Sequence, residues 1–247
     1  MSGRGAERVL DAVEWFATTV APVTYTDFVQ ALDIPKSSAL LLLRLLVDRG
    51  YVQRLADNRY TLVRLPGETL DGGAAWGTVL RLADSHLREA VLQVEESGFV
   101  AVFQDNRIRY LNKILPQREI RYDRDIGPTR LAHQVASGLV MLADLLPQEL
   151  DRYFDAAQVP ADQRSSILEA TAKGRSDGFC VNINGVVEGA SGASAPIRDA
   201  HGKVVAAINI AGPRDRFIAN LDRITEAVVS VAAAVSTDLA HRVRRST

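Results

Sequence analysis

The chain has 247 residues, 47% of them apolar and 24% charged, with 29 basic against 30 acidic side chains for a net charge of −1. That length allows one or two domains, each able to bury its own core, and the composition excludes wholesale disorder and collagen-like repeats. Cys180 is the single cysteine, no apolar stretch nears the roughly 18 residues of a membrane span, and the start through Arg4, Glu7 and Arg8 lacks an apolar signal core, so a cytoplasmic protein with no membrane segment is expected.

Val9, Leu10, Val13, Phe16 and Ala17 fall at helical spacing and predict a first amphipathic helix over 7–17. Thr26 and Asp27 read as the cap and first turn of a short second helix through Phe28, Val29 and Leu32. Pro35 suits the first position of a third, which runs to a glycine stop at Gly50. Two alternating runs, 51–55 and 60–63, flank the polar residues Asp57 and Asn58 and read as a β-hairpin. Helix, helix, turn, helix and hairpin within about 65 residues form the plan of a winged helix-turn-helix. Four successive leucines, Leu40 to Leu43, cannot all face one core at helical spacing, so one or two must be exposed. An exposed leucine there either meets thymine methyl groups in a major groove or packs on the first helix or a neighbouring subunit.

From Met1 to Leu65 eight basic residues oppose seven acidic ones, so net charge says nothing about a nucleic-acid partner and only placement counts. Five of the acids lie in the first two helices and the turn after them. Lys36, Arg44, Arg49, Arg54, Arg59 and Arg64 lie on the third helix and the wing, which suits a phosphate-facing side.

Pro66, Gly67, Gly72 and Gly73 give a break of turn composition, taken as the domain boundary. A connecting helix follows over 74–96, with Val79, Leu80, Ala83, Leu87, Ala90, Val91 and Val94 on one face. Strand-like runs at 99–104 and 108–114 read as a second hairpin, and 118–126 as a further strand. Helical period returns at 133–145, 148–154 and 163–173, strands at 179–183, 193–197 and 203–211, and a last helix at 218–239. A strand-rich centre with flanking helices is an α+β domain.

The four histidines, His86, His133, His201 and His241, form no paired ligand spacing, and neither a phosphate-cradling nor a dinucleotide-binding glycine loop is present, so no metal or cofactor is expected. Gly189-Ala190-Ser191-Gly192-Ala193 is similar in outline to a nucleophile elbow, but the chain continues as Ser194-Ala195-Pro196-Ile197 rather than into a helix. Ser191 is therefore read as a small residue of a turn and strand, and no catalytic residue is assigned.

Ile34-Pro35-Lys36-Ser37-Ser38, followed by Leu46-Val47-Asp48-Arg49-Gly50-Tyr51-Val52, resembles the recognition helix and the start of the wing of the IclR family of bacterial transcriptional regulators. Further resemblances follow in register. His133-Gln134-Val135-Ala136-Ser137-Gly138 is similar to that family's His-x-Thr-Ala-x-Gly helix, and Arg175-Ser176-Asp177-Gly178-Phe179 to its Arg-x-x-Gly-Tyr step. Ala195-Pro196-Ile197 with Gly202 to Ala207 resembles its closing strands, and Asn209-Ile210-Ala211-Gly212-Pro213 its Ser-x-Ser-Gly-Pro end.

The resemblance implies a winged helix-turn-helix over 1–66, a linker and linker helix over 67–97, and a GAF-like effector-binding domain over 98–247. It also implies a homodimer or dimer of dimers on operator DNA, responsive to a small organic acid. The DNA contacts it suggests are Lys36, Ser37, Ser38, Leu40, Leu41, Arg44, Arg54 and Arg59, with leucines where the family often has His-Arg. Positions that commonly supply an Asp, a Cys and two Ser to a ligand carboxylate correspond to Asn182, Gly192, Asn209 and Ala211, joined by Ala136 and Ser137 at a helix start. Trading donors for Gly and Ala opens volume and favours a larger, partly apolar ligand such as an aromatic acid or its amide. The competing class is a small-molecule enzyme or sensor whose winged helix serves protein contacts. It would need a nucleophile and a base in reach, for which only Ser191 and scattered histidines are on offer.

Overall fold

The computed structural model describes residues 3–19, 21–63 and 76–246, and the chain divides into two compact units between Arg81 and Leu82. The turn-rich break at Pro66 to Gly73, and Arg64 with it, lies outside the described residues.

The first unit holds α1 (Gly3–Thr18), α2 (Tyr25–Leu32), α3 (Lys36–Asp48) and a hairpin of β1 (Val52–Arg54) and β2 (Tyr60–Leu62). The start of α2 is set two residues earlier than Thr26 and Asp27 suggest. Thr24 is the cap: its hydroxyl receives the Asp27 amide at 3.2 Å while the Asp27 carboxylate receives the Thr24 amide at 2.8 Å, so Asp27 closes a capping box from the third position. Asp33 ends the helix in the left-handed region at φ 47°. Pro35 is the cap of α3 rather than its first residue, because its ψ of 141° is extended and the helix opens at Lys36. Ala39, Leu42, Leu43 and Leu46 then bury one face of α3.

The hairpin pairs Val52 with Leu62 and Arg54 with Tyr60. Asn58, at φ 64°, closes its turn. Val23 exchanges backbone hydrogen bonds of 2.9 and 2.7 Å with Tyr60, which fastens the α1–α2 connection to the wing. The core is aromatic: the Phe16 and Phe28 rings stack at 5.5 Å with Trp15 edge-on to both.

A long helix, α4 (Trp76–Val94), carries the chain into the second unit. There follow β3 (Ser97–Gln104), β4 (Arg107–Tyr110), β5 (Arg130–Leu131), a 3-10 turn at Ala132–Gln134, α5 (Ala136–Leu142), α6 (Pro147–Ala156) and α7 (Ala161–Asp177). The chain closes with β6 (Cys180–Asn182), β7 (Ala190–Arg198), β8 (Val204–Pro213), α8 (Arg214–Ala219) and α9 (Leu221–Ser246). The six strands make one antiparallel sheet in the order β5-β4-β3-β8-β7-β6, so the unit is α+β as expected. Asp105 and Asn106, at φ 51° and 60°, form the two-residue turn between β3 and β4 that matches the twist of a hairpin.

One sheet face, with Phe99, Ala101, Tyr110, Ala207 and Ala211, packs on α5, α6 and α7. On the other face Gly98 abuts Leu87 and Val91 of α4. On that side α9 is tied to α4 by His86 and Asp238 at 3.4 Å, and to β7 by the Arg198 amide donating to the Ser236 hydroxyl at 2.9 Å. α9 buries Ile224, Val228, Val231, Val235 and Leu239, with Leu221 half-buried at its start. Among the described residues no helix is long and apolar enough to cross a membrane.

The expected strand at 118–126 does not form. Its backbone runs as an irregular strap whose carbonyls are taken by side chains: Ser97 donates to the Tyr122 carbonyl at 2.5 Å and Arg216 to that of Ile120 at 3.1 Å, while Lys113 pairs with Asp123 at 2.6 Å. With those groups already satisfied, ladder pairing has nothing to add. The last predicted helix is likewise two, α8 and α9, separated at Asn220.

Gly174 and Gly138 are required by close approach. A Cβ on Gly174 would strike the sulfur of Cys180, whose thiol is buried and pushed up to about 12 by desolvation. A Cβ on Gly138 would overlap the backbone of Ala132, where the 3-10 turn folds back on α5. Gly138→Ala should therefore destabilise the protein by about 3 kcal/mol in urea unfolding. Gly5→Ala, on an open helix surface, should leave it unchanged or slightly more stable.

Candidate DNA-reading helix and effector cavity

In the first unit, burial of Ala39, Leu42, Leu43 and Leu46 turns the opposite side of α3 outward. Leu42 and Leu43 go to the core, and Leu40 and Leu41 are left 39% and 70% exposed. Beside them Lys36, Ser37 and Arg44 are exposed and Ser38 is half-buried. The amides of Lys36, Ser37 and Ser38 precede any helical carbonyl, and Pro35 offers no side-chain cap, so the helix end presents donors and a positive dipole. Tyr25 fixes this end by donating its hydroxyl to the Lys36 carbonyl at 2.6 Å, a contact the sequence pattern did not reveal.

On the wing, Arg54 reaches the Asn58 side-chain oxygen at 2.7 Å. Arg59 pairs with Asp57 at 2.7 Å, and that guanidinium holds the Asp57 carboxyl below the usual carboxylate range. Arg59 is thus locally neutralised, whereas Lys36 and Arg44 make no ion pair among the described residues.

In the second unit the ends of β6, β7 and β8 and the start of α5 enclose a cavity. Strand register explains why distant residues meet there. Asn182 lies opposite Gly192 and Gly192 opposite Ala211, one row across three strands, while Asn209 stands two residues along β8 from Ala211 on the same face. Ala136 completes that wall from α5. The absent side chain at Gly192 keeps the space open, since a Cβ would reach to 3.5 Å of the Asn209 oxygen. About 450 Å3 lies between the lining atoms, the open mouth included. Asn209 is buried, whereas Asn182 sits at the mouth and spends one N–H on the Gln134 carbonyl at 2.8 Å.

Ser137 lies behind this wall rather than among its lining residues. It is fully buried, and its hydroxyl and that of Tyr110 are 3.1 Å apart in a hydrogen bond, so Ser137 positions the tyrosine that does line the cavity. Burial raises the Tyr110 phenol above its ordinary range. The other wall was not foreseen: Tyr110, Tyr122, Arg124, Arg130 and Gln134, with Val186 and Val187 from the loop before β7. The available signal was the density of arginines at 118, 121, 124 and 130 around Tyr122, masked by reading the segment as a strand. Ser191 is 2% exposed and donates its hydroxyl to the Ile183 carbonyl at 2.7 Å, which is strand stitching and gives a nucleophile no support.

Residues 77–237 match the family model described as bacterial transcriptional regulator IclR C-terminal, and residues 5–56 match the IclR helix-turn-helix domain. The chain belongs to the IclR family. It is 24% identical over 245 residues to the Pca regulon regulatory protein of Pseudomonas putida, covering 95% of this chain and 82% of that one. It is also 24% identical over 229 residues to the glycerol operon regulatory protein of Streptomyces griseus, covering 87% of each. Its fold is similar to that of Thermotoga maritima IclR, with TM-score 0.59, 18% identity and 96% and 99% of the two chains covered. For Pseudomonas aeruginosa HmgR the values are 0.60, 22%, 96% and 98%. This IclR-family chain is accordingly a transcriptional regulator with a helix-turn-helix DNA-binding domain.

The His133 segment of this IclR chain shows what its histidine does. The His133 backbone N–H donates to the Tyr153 hydroxyl at 2.9 Å, and that hydroxyl lies 2.8 Å from His133 Nδ1. Accepting from the amide leaves the hydroxyl proton free to be donated to an unprotonated Nδ1, an assignment made from the hydrogen-bond network. Desolvation adds to this and lowers the His133 pKa below its ordinary value. A depressed histidine pKa means that the unfolded chain binds the proton first. The stability that neutral His133 contributes is therefore complete above about pH 6.5 and is lost as pH falls below it. Urea titrations at pH 7.5, 6.5 and 5.5 should show this loss. His133→Asn, which keeps an acceptor at the Nδ1 position and cannot titrate, should flatten the dependence, and an unchanged slope would exclude His133 as its source.

Proposed function

We propose that the chain is a ligand-responsive regulator, working in the cytoplasm as a homodimer or dimer of dimers. In this reading it grips operator DNA with α3 and the wing and takes a small, partly apolar organic acid in the cavity of its C-terminal domain. The observation that carries it is the cavity itself, where Ala136, Asn182, Gly192, Asn209 and Ala211 come to one space that two tyrosines and three valines make partly apolar. Such a lining, with few polar groups fixing orientation, is the usual character of a small-molecule site. On the DNA side, an exposed helix start with free amides and the Lys36 charge fits phosphate contact. Leu40 and Leu41 add an apolar surface able to meet thymine methyls. A single winged helix reads only a short half-site, so a two-fold assembly on an inverted repeat is the economical arrangement.

Two measurements test the halves separately. Lys36→Ala should weaken binding to all duplexes alike and lower the salt slope by about one unit, whereas Arg59→Ala, whose charge Asp57 already offsets, should change it less. Equal slopes for wild type and the Lys36 variant would remove Lys36 from the interface. Asn209→Leu leaves the cavity without its buried amide, and should cost roughly ten- to a hundredfold in affinity for a cavity ligand while ligand-free DNA binding stays intact. Calorimetry on a ligand found by thermal shift, paired with an operator-binding assay, reads both. Unchanged ligand affinity would place the ligand elsewhere.

A further inference from the structure

Among the described residues the cavity lining holds two cations, Arg124 and Arg130, and no carboxylate. Arg124 comes from the strap that precedes β5, and its guanidinium carbon sits 4.2 Å from the centroid of the Tyr110 ring. Stacking of this kind uses the flat face of the group and leaves its N–H edge directed outward. One of those nitrogens, Nη2, is buried and has no hydrogen-bond partner among the described residues. The remaining contact of the guanidinium is a long 3.4 Å bond from Nε to the Asp125 carbonyl. A buried, unpaired N–H of a cation is costly, and structures keep such groups where an acceptor arrives from elsewhere. The Tyr110 ring beneath it stands edge-on to Phe99 at 5.5 Å, and Phe99 is edge-on in turn to Tyr122 at 6.3 Å, so the cation tops an aromatic cluster.

We propose that Arg124 is the carboxylate anchor of the cavity, and that the effector is an aromatic carboxylate whose ring lies among Tyr110, Tyr122, Val186 and Val187. This rests on the reading of the cavity as the effector site, and it decides between the acid and the amide that the apolar lining alone would accept equally. The fork geometry of arginine suits a planar carboxylate held through two parallel hydrogen bonds. Arg130 supplies a second positive charge without an opposing acid in the lining. None of the residues that the family resemblance assigned to the ligand carries a charge, so Arg124 of the strap with Arg130 of β5, not the β6–β8 wall, sets the preference for an acid.

The test uses the full chain, with benzoate, benzamide and inorganic phosphate as probes in thermal shift and calorimetry. Wild type should be stabilised by benzoate at least tenfold more tightly than by benzamide, and phosphate should not match benzoate. Arg124→Gln, whose planar amide can still lie on Tyr110, should bind benzamide as wild type does and lose the preference for the acid. Arg124→Lys, which keeps the charge without the fork, should retain part of it and carries the comparison if the Gln variant does not fold. Operator binding without ligand should be unchanged in both. A Gln variant that still prefers benzoate tenfold overturns the anchor. Benzamide binding wild type as tightly as benzoate, with both lost in Asn209→Leu, overturns the anchor but leaves the cavity reading in place. Phosphate protecting as well as benzoate overturns the aromatic class. Absence of stabilisation by either aromatic probe at millimolar concentration overturns this proposal, and a cavity variant that then binds every thermal-shift hit as tightly as wild type overturns the cavity reading as well.

Discussion

The second unit depends on how closely α5 lies to its own approach and to the sheet. Gly138 lets the first turn of α5 fold against the backbone of Ala132, where any Cβ would collide. Across the interface β8 presents Ala207 and Ala211, both buried in the same cluster as α5. Small residues on both sides let the helix approach the sheet closely, and close-packed interiors do not forgive an added methyl group at such a point. The same approach places Ala136 at the cavity and Ser137 behind Tyr110, so a stability requirement and a site requirement converge on one turn of helix.

Elements with strong periodicity were legible from residues alone. The first helix, the connecting helix α4 and the wing hairpin lie where spacing put them, because each buries one continuous face. Ends were less legible. Thr24 caps α2 in place of Thr26 because the decisive partner is Asp27 three residues on, a reciprocal pair that outweighs simple adjacency to the apolar run. The strap failed for a different reason. Its alternating composition satisfies a strand template, yet its backbone acceptors are consumed by Ser97 and Arg216, side chains far away in sequence. No local pattern encodes that.

The cavity divides along the same line. Its strand wall followed from family resemblance because Asn182, Gly192, Asn209 and Ala211 occupy regular ladder positions that register brings together. Its other wall, with Tyr122 and Arg124, rides on the strap and was invisible for the reason the strap was. Residues whose place is set by periodic structure can be aligned; residues whose place is set by long-range side-chain ties cannot.

Those ties also explain how a strap without ladder pairing can hold a cation in a defined place. Arg118 is salt-bridged to Glu95, and Arg216 grips Glu96 through two nitrogens while its third reaches the Ile120 carbonyl. Glu96 is 1% exposed, and a carboxylate so buried is tolerable only when paired and hydrogen-bonded; removing either partner of such a pair typically costs about 3–5 kcal/mol. A Cβ on Gly212 would drive into this carboxylate, so the glycine before the end of β8 is part of the same clasp. With the strap pinned just before them in this way, Tyr122 and Arg124 enter the cavity wall already ordered. A ligand that meets an ordered cation does not have to supply the entropy of arranging it, which is why a site on irregular backbone can still recognise its ligand as firmly as one on a strand.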